Sequence, residues 1–493
     1  MRVRIVMAVA TGAVLAGCAG MVRADVGVAK VFGDWMVLQR GMGVAVWGRA
    51  AAGEQVTVDF AGQEKSATAD GAGKWRVVLD KMDADGEGRE MVVKGSGGGP
   101  AVTLKDVVVG DVWVCAGQSN MEYPLDRTQM RGVSAPPAGV EDVSKEALAE
   151  ATAKPDGGLR IFHVEKGKLS EELPNDGWHV AAGEELGKFS AIGYFFGKDL
   201  RADVKVPIGL IGSYWGGSRI ELWTPAEAYE GTKLASEGTA ATRPGVIDGS
   251  AAGRYSKTMI APMAGYGIKG MIWYQGESNL IDTNNKDYLE KFALFAKAWR
   301  GAWGEGDFPI GTVQIAPYAY TRRKDAVAHT AEALPELWAM QEAATEQVKN
   351  VGMVETVDLA DSLGNIHPWN KWEVGARLAK WARAEVYGES GVEWSGPVFH
   401  GLQGQPGKLT LMFDHGAGLK GAGGKGIEGF EVEGADQRWR PAEAKVVGDG
   451  KVEIEAGLGQ SDTRGVRYGW REDFRGGLVN GAGLPAVSFE KEW

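Results

Sequence analysis

Residues 106–121 read DVVVGDVWVCAGQSNM, and this stretch decides the fold. Val107-Val108-Val109 and Val112-Trp113-Val114 form a nearly unbroken apolar run, as a strand buried on both faces of a parallel sheet requires. The run stops at Gly117-Gln118-Ser119-Asn120-Met121, which places Ser119 at a strand-to-turn edge. Working outward, similar runs recur at Ile208-Gly209-Leu210-Ile211, Gly270-Met271-Ile272-Trp273, Ile310 to Ile315 and Val351 to Val357. Between them lie stretches with apolar residues at three- and four-residue spacing: Ile192 to Ala202, Tyr288 to Trp299, Leu334 to Val348 and Lys371 to Val386. Strands alternating with helices from 106 to 388 predict a three-layer α/β domain with a parallel sheet.

The flanks have a different texture. From 25 to 105, glycine turns separate short β-rich runs: Val44 to Trp47, Gln55 to Phe60, and Trp75 to Leu79 after Asp70-Gly71-Ala72-Gly73. That pattern predicts a small N-terminal β-sandwich. From 389 to 493, glycine-punctuated β segments return, including Lys408 to Phe413, Phe430 to Val432 and Lys451 to Ile454, and predict a second β domain. Residues 128–158 and 226–253, rich in Gly, Ala, Pro or charge, read as insertions or lids. No internal repeat of fixed period is present.

Composition narrows the function. With 44% hydrophobic and 24% charged residues the chain is near the globular average, neither disordered nor multi-span. A formal charge of −11 is the wrong sign for a phosphate-backbone binder, so no nucleic-acid partner is expected. The 74 glycines point to many tight turns, and the 18 tryptophans to core fillers or sugar-stacking platforms.

Met1 to Arg4 is a basic head followed by an apolar run, Ile5 to Gly17. The run is shorter than the ~20 helical residues that span a bilayer, so residues 1–24 read as an export signal. Leu15-Ala16-Gly17-Cys18 resembles a lipobox and predicts a lipid-anchored periplasmic or outer-membrane protein. Cleavage after Val22-Arg23-Ala24, which would give a periplasmic or secreted protein, is the alternative. Cys18 and Cys115 are the two cysteines, so a mature chain without a free Cys18 has no internal disulfide.

In an open α/β sheet the reactive groups sit just beyond the carboxyl ends of the strands. Ser119 lies there, but a serine needs a base to become a nucleophile. Of the six histidines, His163, His179, His329, His367, His400 and His415, only His367 sits in a loop between the last α/β strand and the final helix. Acyl transfer also needs donors aimed at the developing oxyanion. Two more strand-end loops fit: Tyr214-Trp215-Gly216-Gly217-Ser218-Arg219 and Tyr274-Gln275-Gly276-Glu277-Ser278-Asn279. Asp361-Ser362-Leu363 mimics a nucleophile motif, but it follows these loops and stands too close to His367 in sequence. The Gly-x-Ser-x-Gly elbow is absent, with Met121 in its last position. Cys115 reads as a buried hydrophobe. No histidine or cysteine cluster has metal-ligand spacing, so no metal or cofactor is implied.

The motifs at 117–121, Trp273 to Asn279 and Ile366-His367-Pro368 with Asn370-Lys371 resemble the sialate O-acetylesterase family of SGNH hydrolases. Phe32-Gly33-Asp34, Met36 to Gln39, Arg467 to Trp470 and Gly483 to Ala486 extend the resemblance over nearly the whole chain. It implies a flavodoxin-like SGNH domain flanked by β-sandwiches and a serine esterase removing O-acetyl groups from carbohydrates. It further implies Ser119 as nucleophile, His367 as base, and Ser119, Gly216, Gly217 and Asn279 around the oxyanion. Gln118, Arg219, Gln275 and Glu277 are the residues offered to substrate. Many SGNH hydrolases carry an aspartate three residues before the histidine, where this chain has Gly364. The group orienting His367 is therefore Asp361, Asp358 or a backbone carbonyl, with Asp361 placed first. An acetylated hemicellulose such as xylan or xyloglucan is the alternative substrate. A non-catalytic glycan-binding protein is the alternative class. A sialate carboxylate would want a cation, with Arg219 or Arg127 at hand. Oligomeric state is not legible.

Overall fold

The computed structural model describes residues 25–492 except 132, 134, 135, 138, 167–172, 240–250, 325, 326, 406, 407 and 456–462. The expected export signal with Cys18, and part of each expected insertion, lie outside the described residues. The centre of the molecule is strand β1 (Val102–Gly117). Its second half has parallel partners on both sides, and residues 107–116, apolar apart from Asp111, are all buried with no alternation.

Further strands are β2 (Leu159–His163), β3 (Trp178–Val180), β4 (Ile208–Tyr214), β5 (Gly270–Tyr274), β6 (Ile310–Val313) and β7 (Val351–Val354). They lie in the order β3-β2-β4-β1-β5-β6-β7. All neighbours are parallel except β3, which runs antiparallel to β2. The chain fills one side of β1 before crossing to the other, so the connections diverge at β1 and open a crevice at its carboxyl end. The helices that match the sequence periodicity are α2 (Ala191–Val204), α4 (Tyr288–Trp303), α5 (Ala333–Gln347) and α6 (Lys371–Trp381), with two short ones, α1 (Ser119–Glu122) and α3 (Glu277–Ile281), at strand ends. Ser190 caps α2 by accepting from the Gly193 N–H, and Gly304 ends α4 with φ of 71°.

Helix α6 lies close on the sheet because β6 and β7 carry glycines beneath it. A Cβ at Gly352 would stand 2.0 Å from Trp381 Nε1, and one at Gly311 2.5 Å from the same indole. The Trp381 ring also meets Trp113 of β1 edge-on at 6.2 Å, so an α6 tryptophan and the central strand share one aromatic layer.

The boundary expected at 105/106 falls inside an unbroken strand. The first half of β1 pairs antiparallel with Asp85–Gly95 and parallel with Val37–Gln39, and the second half enters the parallel sheet. The change of texture at Asp106 marks a change of partners, with Asp106 itself at φ of 54°. The inward residues of the N-terminal sheets, among them Val46, Val58, Trp75, Val77 and Val93, belong to the same apolar core as the α/β layers. The C-terminal strands instead enclose a core of their own around Leu411, Phe430, Val432, Val452, Val466 and Tyr468. They form two antiparallel four-stranded sheets and a two-stranded pair. The edge pair β2–β3 and the helix Val143–Ala153, inside the segment expected as an insertion, add to the sheet and its cover.

Candidate active site

Four loops meet at the carboxyl ends of β1, β4, β5 and β7. Gly117 ends β1 at φ of 143°, and a Cβ there would lie 2.2 Å from the Tyr274 carbonyl. This absent side chain lets the β1 and β5 exits touch. The Gln118 N–H donates to the Tyr274 carbonyl (3.0 Å) and the Trp215 N–H to the Gly117 carbonyl (3.0 Å), stitching the β4 exit to the same point.

At this junction Ser119 Oγ lies 2.9 Å from His367 Nε2, although the residues are 248 positions apart in the chain. Ser119 is 9% exposed and His367 half-buried. The histidine turn is self-bonded: Asn365 Oδ1 accepts from the His367 N–H at 2.9 Å and Asn365 Nδ2 donates to the His367 carbonyl at 2.7 Å. The hydroxyl and the imidazole are thus within hydrogen-bonding reach, the geometry that a serine and a base acting on it require.

Of the groups considered for orienting His367, Asp358 is spoken for: Arg377 of α6 donates to both its oxygens, at 2.9 and 2.6 Å. Asp361 is exposed, and its charge bears on Tyr123 and Lys371 beside the site.

The residues offered to the substrate are all buried in the structure. Gln118 is buried, its Oε1 accepting from Gln275 Nε2 and from the Gly276 and Ser278 N–H groups. Gln275 is buried too and donates to Gln118, Asn279 and the Ser218 carbonyl, while its Oε1 accepts from Tyr288. Glu277 is 1% exposed and accepts from Asn120 Nδ2 at 2.5 Å. Arg219, 3% exposed, is drawn to Asp282 at 3.6 Å. All four are buried, and the contacts they make lie within and between the loops. The Gln118 and Gln275 amides satisfy each other, whereas Arg219 Nε and Nη1 and Glu277 Oε2 are buried without a hydrogen-bond partner among the described residues.

The oxyanion candidates divide as well. Asn279 is fully buried, and its amide nitrogen donates to both Glu221 oxygens (3.2 and 3.0 Å). Gly216 stands against Ser119, where a Cβ would be 3.3 Å from Ser119 Cβ, but its N–H donates to Glu122 Oε2 at 2.5 Å. Gly217, at φ of 76°, remains in the half-buried turn beside it.

Three residues of this site were overlooked by sequence reasoning, although each stands in or beside a motif that had been singled out. Glu122 pairs with Lys166, whose ammonium lies 5.4 Å above the Trp215 ring. Asn120 and Lys371 belong to a buried hydrogen-bonded row: Lys371 Nζ donates to Asn120 Oδ1 at 2.7 Å. Burial brings the Lys371 ammonium down to about 7, against the opposing pull of Glu277 and Asp361. Burial likewise pushes the Glu277 carboxyl up to about 7, against its bond from Asn120.

Of the remaining histidines, His179, His400 and His415 face carboxylates. His163 is packed on Tyr214 and brought down to about 4 by burial, and His329 lies against Tyr320. Among the described residues one group, Asp176, His179 and Glu185, has ligand-type atoms within 4.8 Å of one another. There Glu185 already carries the Lys188 ammonium at 3.0 Å.

Comparison with known proteins adds independent findings. Residues 109–383 match the family described as carbohydrate esterase, sialic acid-specific acetylesterase. The sialate O-acetylesterases of mouse and man are each 29% identical to the chain. The mouse enzyme aligns over 90% of this chain and 89% of its own, the human one over 88% and 86%. The crystal structure of a carbohydrate acetylesterase from Xanthomonas citri superimposes with a TM-score of 0.79 at 34% identity, covering 95% of this chain and all of that one.

Proposed function

The chain belongs to the sialic acid-specific acetylesterase family of carbohydrate esterases, and from that premise we propose that Ser119 and His367 carry out the deacetylation of a sugar. The enzyme is a carboxylic ester hydrolase acting on O-acetylated carbohydrate. The observation that carries the assignment of residues is the 2.9 Å contact between Ser119 Oγ and His367 Nε2.

In the proposed cycle, His367 Nε2 takes the hydroxyl proton as Ser119 Oγ bonds to the acetyl carbonyl carbon. The negative charge that develops on the carbonyl oxygen is met by the backbone N–H groups of Ser119 and Gly217. Collapse of the tetrahedral intermediate breaks the ester bond, and the imidazolium returns its proton to the departing sugar hydroxyl. Water then attacks the acetyl-serine with His367 again as base, and acetate leaves with Ser119 restored. Asp361 is the carboxylate proposed to favour the imidazolium.

Ser119→Ala and His367→Ala should each lower acetate release from an acetylated glycan and from a chromogenic acetyl ester by about 10³-fold or more, and the double variant by little beyond that. Near-wild-type turnover in Ser119→Ala would overturn the assignment.

Family membership puts acetylated sialate first among substrates. One observation favours a second reading, a neutral acetylated polysaccharide such as xylan or xyloglucan. Apart from Lys371, which is buried on Asn120, the cations considered for a carboxylate are each held by an acid: Arg219 by Asp282, Arg127 by Asp142 and Lys166 by Glu122. A sialate carboxylate would have to displace one of those acids. Parallel acetate release from xylan, xyloglucan, pectin and sialoglycan decides between the readings.

A further inference from the structure

We propose that Asn120, clamped between Lys371 and Glu277, is the positioning residue that holds His367 in line with Ser119. The proposal rests on the Ser119–His367 reading and extends it to groups that touch neither substrate nor the reacting atoms.

Asn120 follows the nucleophile directly, so its backbone moves with Ser119. It is fully buried in α1. Its amide nitrogen donates to the Ile366 carbonyl at 3.0 Å, and Ile366 immediately precedes His367. One side chain thereby ties the turn that bears the hydroxyl to the loop that bears the imidazole, 246 positions away.

The amide can make this bond only in one orientation. Lys371 Nζ donates to Asn120 Oδ1 (2.7 Å), which fixes that end as the acceptor. Glu277 Oε1 accepts from Asn120 Nδ2 (2.5 Å), which fixes the other as the donor. The ammonium is itself caged: it lies 4.9 Å from the Tyr123 ring centroid and 5.9 Å from that of Tyr274. Lys371 opens α6 and Glu277 opens α3, so the clamp draws the ends of β1, β5 and the His367 loop to a single amide. A Ser–His pair depends on close alignment, and a misplacement of about 1 Å costs about 10²-fold in rate.

The test compares wild type, Asn120→Ala, Asn120→Asp, Glu277→Gln and Glu277→Leu. Each is assayed for the rate of Ser119 labelling by a fluorophosphonate, steady-state hydrolysis of p-nitrophenyl acetate, and thermal unfolding. Asn120→Ala should label and turn over roughly 10- to 100-fold more slowly, with KM within about twofold and the fold intact. Asn120→Asp has the same size but turns an oxygen toward two acceptors. It should be equally slow, and it decides the matter where the alanine variant does not fold. Glu277→Gln keeps the acceptor oxygen and should stay within about threefold of wild type, whereas Glu277→Leu should fall with Asn120→Ala.

A folded Asn120 variant that labels within twofold of wild type overturns the clamp while leaving the esterase assignment standing. So does Glu277→Gln failing as badly as Glu277→Leu. A wild type whose Ser119 resists the phosphonate overturns the Ser119–His367 reading and the clamp with it.

Discussion

Replacing Glu355 by glutamine should make thermal stability less dependent on pH, by an amount the structure allows us to work out. Glu355 follows β7 at 1% exposure, and its Oε2 has no hydrogen-bond partner among the described residues. Burial, with the nearby charge of Glu342, pushes its carboxyl from 4.5 to about 8. Between those values the folded protein keeps a proton that the unfolded chain has lost. Stability therefore falls as pH rises through that window, and the loss is complete above pH 8. At about 1.36 kcal/mol per tenfold ratio, the span corresponds to roughly 4–5 kcal/mol. Unfolding entropy of about 2.1 cal/mol/K per residue over 493 residues is about 1 kcal/mol/K, which converts the loss to about 4–5 °C. Glutamine has the same volume and no charge, so the Tm difference between Glu355→Gln and wild type should grow by that amount from pH 4 to pH 9. Differential scanning calorimetry at constant ionic strength reads it directly. Glu277 and Glu342, both raised to about 7, titrate in both proteins and largely cancel. Parallel Tm curves for the two would refute the reasoning.

Glu122→Ala should lower kcat roughly tenfold, because the Gly216 N–H loses its acceptor beside Ser119, while Glu122→Gln, which keeps an oxygen there, should retain most activity; steady-state kinetics on a chromogenic acetyl ester distinguish them. Gly352→Ala should destabilise the fold by about 1–3 kcal/mol, since its Cβ would meet Trp381 at 2.0 Å and the indole or α6 must shift; denaturant unfolding measures the cost.

The parallel sheet was legible because strands buried on both faces must be apolar throughout, and β1, β4, β5, β6 and β7 all stand on such runs. The helices were legible because each turns one face to that sheet, and α4 begins at the expected residue, Tyr288. What was not legible depended on polar groups finding each other. Gln118, Gln275, Glu277 and Asn279 carry the same chemistry whether they face a glycan or one another, and only three-dimensional proximity reveals that they form an internal network. β3 was missed for a related reason: three residues, Trp178–Val180, give no period to read. The meeting of Ser119 and His367, by contrast, follows from topology, because strand ends that diverge at β1 leave one crevice for their loops to share.

That crevice is not built by the α/β layers alone. The 358–370 segment has to present an imidazole to a fixed hydroxyl, yet ordering each residue of a polar loop costs about 1–2 kcal/mol. Its own bonds, Asn365 to His367 and Asp358 to Arg377, shape the turn and tie its start to α6. Asn120 anchors it from the Ser119 side. The C-terminal β region supplies the opposite anchor, where Arg475 donates to the carbonyls of Ala360 (3.2 Å) and Asp361 (3.4 Å). That region is itself fastened to the α/β layers by Glu472 accepting from Thr321 and by Arg467 pairing with Glu332 at 3.0 Å. Charge-assisted bonds to backbone carbonyls are worth about 1.5–3 kcal/mol where they are shielded and less where exposed, as here. Several are needed, and they come from both directions. A C-terminal unit with a hydrophobic core of its own therefore holds the far side of the loop that carries His367, and on the proposed mechanism it acts on catalysis without contributing a reacting group.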